Sequence, residues 1–235
     1  MDEDKLIVHG RGMMASAIRV TEGLTGAVFA AGISNSGESD CLEYTREHNE
    51  LRSFIESNPD KKVVYFSSYI AKDGTSRYAQ HKRQMESVIS ETANDFLVLR
   101  LPQVVGKTTN STLVNYLVNA AKTRERITVQ KNAYRSLVDV TDVGRILSLL
   151  SDKNITREVI AVGPLNPLWI LEIVENIESI LQLKIDFTTV DSGERQSADL
   201  SKALELLGRN DPIFHEAYQV SVLREYVPKL FGGSL

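Results

Sequence analysis

Short apolar segments alternate with longer amphipathic ones along most of this chain of 235 residues. The apolar segments have the length of buried strands, and those between them have the length and periodicity of helices. Parallel strands need crossovers of about a dozen residues or more, which helices usually supply. The alternation predicts an α/β protein with a doubly wound parallel sheet and a small C-terminal lobe. The predicted strands of the sheet are 6–9, 26–32, 62–67, 96–101 and 158–162, and the predicted helices are 41–57, 78–92, 112–123 and 141–150.

A glycine-rich turn follows the first predicted strand and opens a helix. Gly10, Gly12 and Ala15 have the spacing G-x-G-x-x-A, a variant of the fingerprint that binds dinucleotides. The first glycine permits a tight turn, and the second lets the backbone approach a pyrophosphate. Ala15 allows the helix to pack closely on the strand, and the helix N-terminus favours the anion. This segment predicts a dinucleotide cofactor.

Tyr78 and Lys82 lie four residues apart on one predicted helix, and Ser68 ends the strand before it. Residues at this spacing share one face of a helix. Because an ammonium favours the phenolate, we expect Lys82 to lower the pKa of Tyr78 from about 10 towards neutrality. Such a phenol can exchange a proton with a carbohydrate or steroid oxygen, and the Ser68 hydroxyl can bond the same oxygen. The alternative interpretation is a solvated helix face after a strand-end turn.

The composition argues against several other classes of protein. The net charge of −4, from 27 basic and 31 acidic side chains, does not suggest a nucleic-acid-binding protein. The four histidines have no metal-ligand spacing, so we expect no metal. Cys41 is the only cysteine, no apolar run has the length of a membrane span, and the acidic N-terminus does not resemble a secretory signal. We therefore expect a cytoplasmic protein with no nucleic-acid or membrane partner.

These motifs together resemble those of the extended short-chain dehydrogenase/reductase family, which includes nucleotide-sugar epimerases, dehydratases and reductases. The resemblance covers nearly the whole chain and implies a shortened Rossmann fold. It implies a dinucleotide-binding core in residues 1–106 and 136–165, and a substrate lobe in residues 107–135 and 166–235. The other segments similar to family motifs are Phe29-Ala30-Ala31-Gly32, Asn49, Phe66-Ser67-Ser68, residues 99–106, residues 135–143, and residues 199–203 with Leu207-Gly208.

The resemblance also implies roles for particular residues. Tyr78 is the acid or base, Lys82 supports it and holds the nicotinamide ribose, and Ser68 bonds the substrate carbonyl. In the family, Arg135 commonly contacts the nucleotide diphosphate. The implied cofactor-binding residues are Gly10, Arg11, Gly12, Met13, Met14, Ala30, Ala31, Gly32, Asn49, Phe66, Ser67, Tyr78, Lys82, Pro102 and Val104. The implied substrate-binding residues are Ser68, Tyr69, Thr112, Arg135 and Arg195.

The oligomeric state is also implied only by the resemblance. In the family, the helices that correspond to 41–57 and 78–92 pair across a two-fold axis, which implies a homodimer. Burial of the apolar stripes of these helices inside a single chain would give the same sequence pattern.

Two departures from the family pattern bear on the activity. The segment between the first predicted helix and the strand at 26–32 is too short for the two strands and one helix expected there, and the missing strand normally binds the adenosine ribose. Arg11 and Arg19 are the nearest basic residues for a 2′-phosphate, which favours NADP, although both could equally be surface charges. Tyr69 and Ile70 stand where dehydratases carry an Asp-Glu pair, so we do not expect a dehydration.

The sequence thus predicts an NADP-dependent ketoreductase for a nucleotide-activated sugar, with NAD as the alternative cofactor. A 4-epimerase with bound NAD would use the same residues. A non-catalytic binding protein of the same fold is the alternative from another class. Arg135 could instead form a surface ion pair, and packing explains Tyr134 and Trp169 better than stacking on a nucleotide base.

Overall fold

The structure is a computed structural model that describes residues 5–108, 110–153 and 155–233. These residues divide into two compact units. The first unit lies within Met1–Leu101, Val140–Val162 and Leu200–Gly208, and the second within Pro102–Asp139, Gly163–Asp199 and Arg209–Leu235. Segments 102–106, 136–139 and 163–165, which we expected in the core, therefore fall in the second unit. Segment 200–208, which we expected in the lobe, falls in the first, because its helix packs against the last strand of the main sheet.

The elements are numbered in chain order. The strands are β1 (Ile7–His9), β2 (Ala27–Phe29), β3 (Lys62–Ser68), β4 (Asp95–Leu101), β5 (Gln103–Val105), β6 (Ile127–Gln130), β7 (Tyr134–Arg135), β8 (Leu137–Asp139), β9 (Glu158–Ala161), β10 (Leu168–Trp169) and β11 (Phe187–Val190). The helices are α1 (Met13–Arg19), α2 (Cys41–Glu56), α3 (Arg77–Thr92), α4 (Leu113–Thr123), α5 (Val140–Ser151), α6 (Ile170–Leu181), α7 (Ser201–Leu207) and α8 (Tyr218–Gly232). Short 3₁₀ helices lie at Tyr69–Ala71 and Pro212–Phe214.

Five parallel strands form the sheet of the first unit, in the order β1–β2–β3–β4–β9. The α/β fold with a parallel sheet is therefore as the sequence predicts. α1 carries the chain directly from β1 to its neighbour β2, and Ile7 pairs with Ala27. Among the described residues no strand lies beyond β1, so β1 forms an edge of this sheet.

The two faces of this sheet are covered by different helices. Side chains alternate between the faces along each strand. The side chains on one face of the sheet pack with α2 and α3. The helices α1 and α5 pack against each other. The apolar stripes of α2 and α3 are thus buried within the first unit, and the homodimer stays a prediction. The cluster under α2 and α3 includes Leu51, Phe54, Met85 and Ile89 from the helices and Ala27, Phe29, Val63, Tyr65, Phe96 and Val98 from the strands.

The open edge of β1 is covered by an arginine from α1. Ile7 N–H and His9 C=O bond to the β2 side, so the Val8 carbonyl faces the open side. Arg19 Nη2 donates to the carbonyl oxygens of Val8 at 3.2 Å and Gly10 at 2.6 Å. Unpaired edge groups invite pairing with other chains, and a charged side chain is a usual protection. Arg19 thus satisfies backbone acceptors that no strand reaches.

The second unit contains three pairs of short strands. β5 pairs with β8 and β6 with β11 in parallel, and β7 pairs with β10 antiparallel. α8 supplies polar partners to β8: Gln219 accepts from Leu137 N–H at 2.8 Å, and Tyr226 donates to the Asp139 carboxylate at 2.9 Å. These buried bonds fix β8 in its unit. Within the described residues, no helix is long and apolar enough to cross a membrane.

Candidate active site

Ser68, Tyr78 and Lys82 come together at the carboxyl end of β3. β3 ends at Ser68, a 3₁₀ turn follows, and α3 begins at Arg77 with the Ser76 hydroxyl accepting from Ala79 N–H at 3.2 Å. Tyr78 is buried in the first turn of α3 and shares a side-chain hydrogen bond with Ser68. The Lys82 ammonium, one turn later, lies 5.5 Å from the centroid of the Tyr78 ring. The spacing that the sequence shows therefore corresponds to contacts in space.

Lys82 is buried along its whole length, with 2% of its side chain exposed. Its Nζ donates to Glu47 Oε1 at 3.0 Å and to the Tyr65 hydroxyl at 2.9 Å. A Cβ at Gly32 would stand 3.0 Å from the same Nζ and 2.8 Å from Glu47 Oε1, so only glycine leaves the pair unobstructed there. An ammonium has three hydrogens, and two of them have acceptors among the described residues.

Glu47 is the main residue that the sequence analysis missed. Its side chain is fully buried, and besides Lys82 it accepts from Tyr65 OH at 2.6 Å, His81 Nε2 at 3.0 Å and Ile33 N–H at 2.8 Å. Burial alone would raise the pKa of Glu47, but Lys82 and these hydrogen bonds outweigh it and hold the pKa well below its ordinary value. The carboxylate is therefore ionised and fixed.

The sequence did contain a signal for Glu47. It occupies an apolar-stripe position of α2, between Tyr44 and Leu51, which are both buried. A carboxylate in such a stripe needs buried partners. Asn49, which we expected near the cofactor, lies two residues further on the exposed side of α2, and its Oδ1 is 3.3 Å from His48 Nδ1. The structure does not bring Asn49 to Lys82 or Tyr78.

The pKa of Tyr78 is raised above its ordinary value, so the expected fall towards neutrality is wrong. Burial is the main cause of the rise. The Lys82 ammonium and the Ser68 hydrogen bond lower the pKa, but Glu47 and Tyr44 oppose them. The sequence showed the ammonium but neither the burial nor the carboxylate. At neutral pH, Tyr78 is therefore a phenol.

The glycine turn lies at the ends of β1 and β2 and is open on one side. Gly10 has φ +128°, and a Cβ there would stand 2.5 Å from the carbonyl oxygen of Ala30. Glycine is required because β2 closes onto the turn, with Ala30 N–H donating to His9 C=O at 2.7 Å. A Cβ at Gly12 would meet nothing within 4 Å, so space for a ligand adjoins the backbone here.

The other predicted cofactor residues of the first unit surround this turn and the end of β3. Met13 and Met14 are half-buried in the first turn of α1, and Arg11 is exposed. The Ser67 hydroxyl donates to Glu86 at 2.5 Å, and Glu86 in turn pairs with Arg100. Ala30, Ala31, Gly32 and Phe66 are half-buried.

Tyr69 is buried directly after Ser68 in the 3₁₀ turn. Its hydroxyl has no hydrogen-bond partner among the described residues. Burial raises the pKa of this phenol far above its ordinary value. A buried hydroxyl in this condition is destabilising unless a ligand or water bonds it. The substrate-binding role of Tyr69 stays a prediction.

The remaining predicted residues lie in the second unit. Arg135 Nη1 donates to the carbonyl oxygens of Tyr134 at 2.7 Å and Glu194 at 2.9 Å, and burial lowers the pKa of its guanidinium. The Arg195 guanidinium lies 5.5 Å from the Tyr134 ring, which in turn packs at 5.5 Å on Trp169. Arg195 thus lies beside an aromatic pair, whereas the Arg135 guanidinium is bonded to neighbouring backbone carbonyls. Pro102 and Val104 lie at β5, and Thr112 is the N-cap of α4.

The described residues contain no group of three or more His, Cys, Asp or Glu side chains placed to hold a metal ion. No family profile matches the chain, and no curated protein matches it in sequence. Its likeness to known proteins is therefore one of structure.

Several solved structures have the same fold. A UDP-N-acetylglucosamine 4-epimerase from Methanobrevibacter ruminantium M1, in complex with UDP-N-acetylmuramic acid, is 17% identical, with a TM-score of 0.77 and 100% of each chain covered. A dTDP-4-dehydrorhamnose reductase from Bacillus anthracis in complex with NADP is 16% identical, with a TM-score of 0.70, covering 92% of this chain and 85% of that one. A dTDP-glucose 4,6-dehydratase from the same species in complex with NAD is 18% identical, with a TM-score of 0.69 and coverages of 88% and 73%. At these identities the comparisons establish the fold, and they confirm at that level the resemblance that the motifs suggest.

Proposed function

We propose that this protein is an NAD(P)-dependent ketoreductase that acts on a nucleotide-activated sugar. One observation carries the proposal: Tyr78 is a buried phenol bonded to Ser68, beside a buried ammonium, at the strand end next to the glycine turn. A phenol in this setting is a proton donor. The structural neighbours that act on nucleotide sugars support this substrate class.

The residues of the first unit fit a dinucleotide. Gly10 lets the turn close on β2, and Gly12 leaves open space beside the backbone, where a pyrophosphate could approach. Gly32 leaves the Lys82 ammonium unobstructed, so its third hydrogen could bond the nicotinamide ribose. A reduced nicotinamide, when bound, supplies hydride to a keto carbon.

The protein's own groups would then handle the proton. The substrate carbonyl oxygen would accept hydrogen bonds from Ser68 and Tyr78, which already contact each other. As negative charge develops on that oxygen, Tyr78 would donate its proton, and Lys82 would stabilise the phenolate that remains.

The 4-epimerase is the second candidate, supported by the epimerase neighbours. An epimerase must first remove a proton from a sugar hydroxyl, and a phenolate serves that step. The raised pKa of Tyr78 supports a proton donor over a base, and we therefore propose the reductase first. A non-catalytic binding protein is the alternative from another class, because no strand among the described residues lies beyond β1 to build the adenosine side.

The test uses purified protein with NADPH or NADH and a panel of UDP- and dTDP-linked 4-ketosugars. Reduction appears as loss of nicotinamide absorbance, and epimerisation as interconversion of sugar nucleotides with no net change in added cofactor. Tyr78→Phe should lower turnover by roughly 10²-fold or more and keep cofactor binding. Tyr116→Phe, at an exposed tyrosine of α4, should leave turnover unchanged. No cofactor binding by the unmodified protein would favour the non-catalytic alternative.

A further inference from the structure

We propose that Glu47 is a positioning residue of this site: it holds the Lys82 ammonium in place and in its charged form beside Tyr78. The inference rests on the proposed function for its catalytic meaning. The sequence motifs assign no role to Glu47. Its evidence is the geometry of the carboxylate inside the first unit.

The carboxylate is held rigidly by four donors. Oε1 accepts from Lys82 Nζ and Tyr65 OH, and Oε2 accepts from His81 Nε2 and Ile33 N–H, at distances between 2.6 and 3.0 Å. Two carboxylate oxygens offer about four acceptor positions, so the group is fully satisfied. Because a carboxylate cannot donate, His81 must carry its hydrogen on Nε2. Glu47 is thus fixed from α2, β3, α3 and the loop after β2.

Lys82 depends on this carboxylate for its charge. A buried ammonium without a counter-charge loses its proton more readily, because burial disfavours the charged form. Glu47 is the one carboxylate within ion-pair distance of Lys82 among the described residues. The next buried carboxylate on α3, Glu86, pairs with Arg100 at 2.6 Å instead. No other described side chain replaces Glu47 in this role.

Other titratable groups near Lys82 and Tyr78 could also contribute to a pH-dependent rate. Arg77 lies over the Tyr44 ring at 4.6 Å, and His81 packs edge-on to Tyr44 at 4.8 Å. None of these groups bonds Lys82. The titratable and charged groups that the structure places directly against Lys82 or Tyr78 are Tyr44 and Glu47 on α2 and Tyr65 on β3.

Removal of the Glu47 charge should therefore shift the pH dependence of activity in one direction only, whether or not Lys82 keeps its proton. If Lys82 loses its proton at lower pH, the phenolate left on Tyr78 loses its stabilising charge at lower pH. If Lys82 stays charged, the unopposed ammonium makes Tyr78 ionise at lower pH. Both changes move the alkaline limb of the pH–rate profile for reduction to lower pH. A carboxylate that only supported packing would lower the rate without moving that limb.

The experiment compares Glu47→Gln with Glu47→Asp and Glu86→Gln. Glu47→Asp keeps the charge on a shorter side chain, and Glu86→Gln removes a buried charge from an ion pair that does not touch Lys82. In the pH profile of kcat/KM, Glu47→Gln should move the alkaline limb down by about one pH unit or more. The limb should stay in place for the other two variants, with a lower rate for Glu47→Asp. An unmoved limb in Glu47→Gln would overturn the proposal.

A substrate-free measurement separates this proposal from the proposed function. The Cε chemical shift of isotope-labelled lysine, assigned with Lys82→Met, reports the protonation of Lys82 by NMR. The midpoint of that signal should be lower by about one pH unit or more in Glu47→Gln than in the unmodified protein, and Glu47→Asp should match the unmodified protein. If every sugar nucleotide fails as a substrate but this shift occurs, the function is wrong and the positioning role stands. If Glu47→Gln does not fold, Glu47→Asp must keep the Lys82 midpoint; a fall of one unit there overturns the proposal.

Discussion

The end of β3 and the open edge at β1 belong to the same sheet, but they are built in different ways. Around β3, charged groups are fully enclosed: Glu47 and Lys82 are buried, and each has several short bonds. At β1, the groups are half-exposed or exposed, and Arg19 takes the place of a neighbouring strand. The region around Glu47 and Lys82 is thus enclosed, while the glycine turn lies at an open edge of the sheet. If the protein binds a cofactor, its reactive end should be held more firmly than its adenosine end.

The sharpest test of this contrast uses two glutamates of α2. Glu47 is buried in the ion pair with Lys82, whereas Glu50, one turn away, pairs with Arg46 and His9 and is 36% exposed. Glu47→Ala should lower the free energy of unfolding by about 3–5 kcal/mol, because it leaves a buried ammonium unpaired. Glu50→Ala should lower it by about 1 kcal/mol or less. Urea unfolding measures both, and equal losses would contradict the contrast.

The glycine turn offers a second pair of variants. Gly10→Ala places a Cβ 2.5 Å from the Ala30 carbonyl at φ +128°, so it should lower the free energy of unfolding by about 2–4 kcal/mol. Gly12→Ala has open space and should change it by about 1 kcal/mol or less. Gly12→Val should keep the fold, measured by circular dichroism, and weaken NADPH binding, measured by fluorescence. Unchanged affinity in Gly12→Val would place the cofactor elsewhere.

The pH dependence of stability tests Glu47 by a separate measurement. The pKa of Glu47 is lowered in the folded state, so its contribution is fully present above the unfolded pKa of about 4.3 and is lost as the pH falls below it. Between pH 6 and pH 3, the unmodified protein should lose roughly 2 kcal/mol more stability than Glu47→Gln. Parallel curves for Glu47→Gln and the unmodified protein would mean that the partners of Glu47 do not lower its pKa in the folded state.

Local patterns were enough to predict the sheet and the Ser68, Tyr78 and Lys82 group. Strand and helix periodicities are set by short segments, and the four-residue spacing puts Tyr78 and Lys82 on one face of α3 whatever surrounds them. Glu47 reaches Lys82 across 35 residues of sequence, and such a contact leaves no local pattern. The sign of the Tyr78 pKa shift could not be predicted for the same reason, since burial depends on the packed unit. The sequence puts Arg19 at the end of the first helix, and the structure agrees. Its bonds to backbone carbonyls could not be predicted, because they depend on β1 being an edge strand.

The smallest predicted effect concerns the choice between NADPH and NADH. The sequence offered Arg11 and Arg19 for a 2′-phosphate, and the structure commits the Arg19 guanidinium to the Val8 and Gly10 carbonyls. Arg11 is exposed inside the glycine turn. A charge-assisted bond from Arg11 contributes about 1.5 kcal/mol at an exposed site, so NADPH should bind roughly tenfold more tightly than NADH.

Arg11→Ala alone should remove this preference, measured by fluorescence titration with each cofactor. Arg19→Ala should keep the preference and lower stability instead, because it uncovers the edge of β1. High salt should weaken the preference, since an exposed pair is screened. Equal binding of both cofactors by the unmodified protein would remove the argument for NADP and favour the NAD-dependent epimerase. Loss of the preference in Arg19→Ala but not in Arg11→Ala would mean that Arg19 leaves the backbone when the cofactor binds, and that the edge of β1 is part of the site.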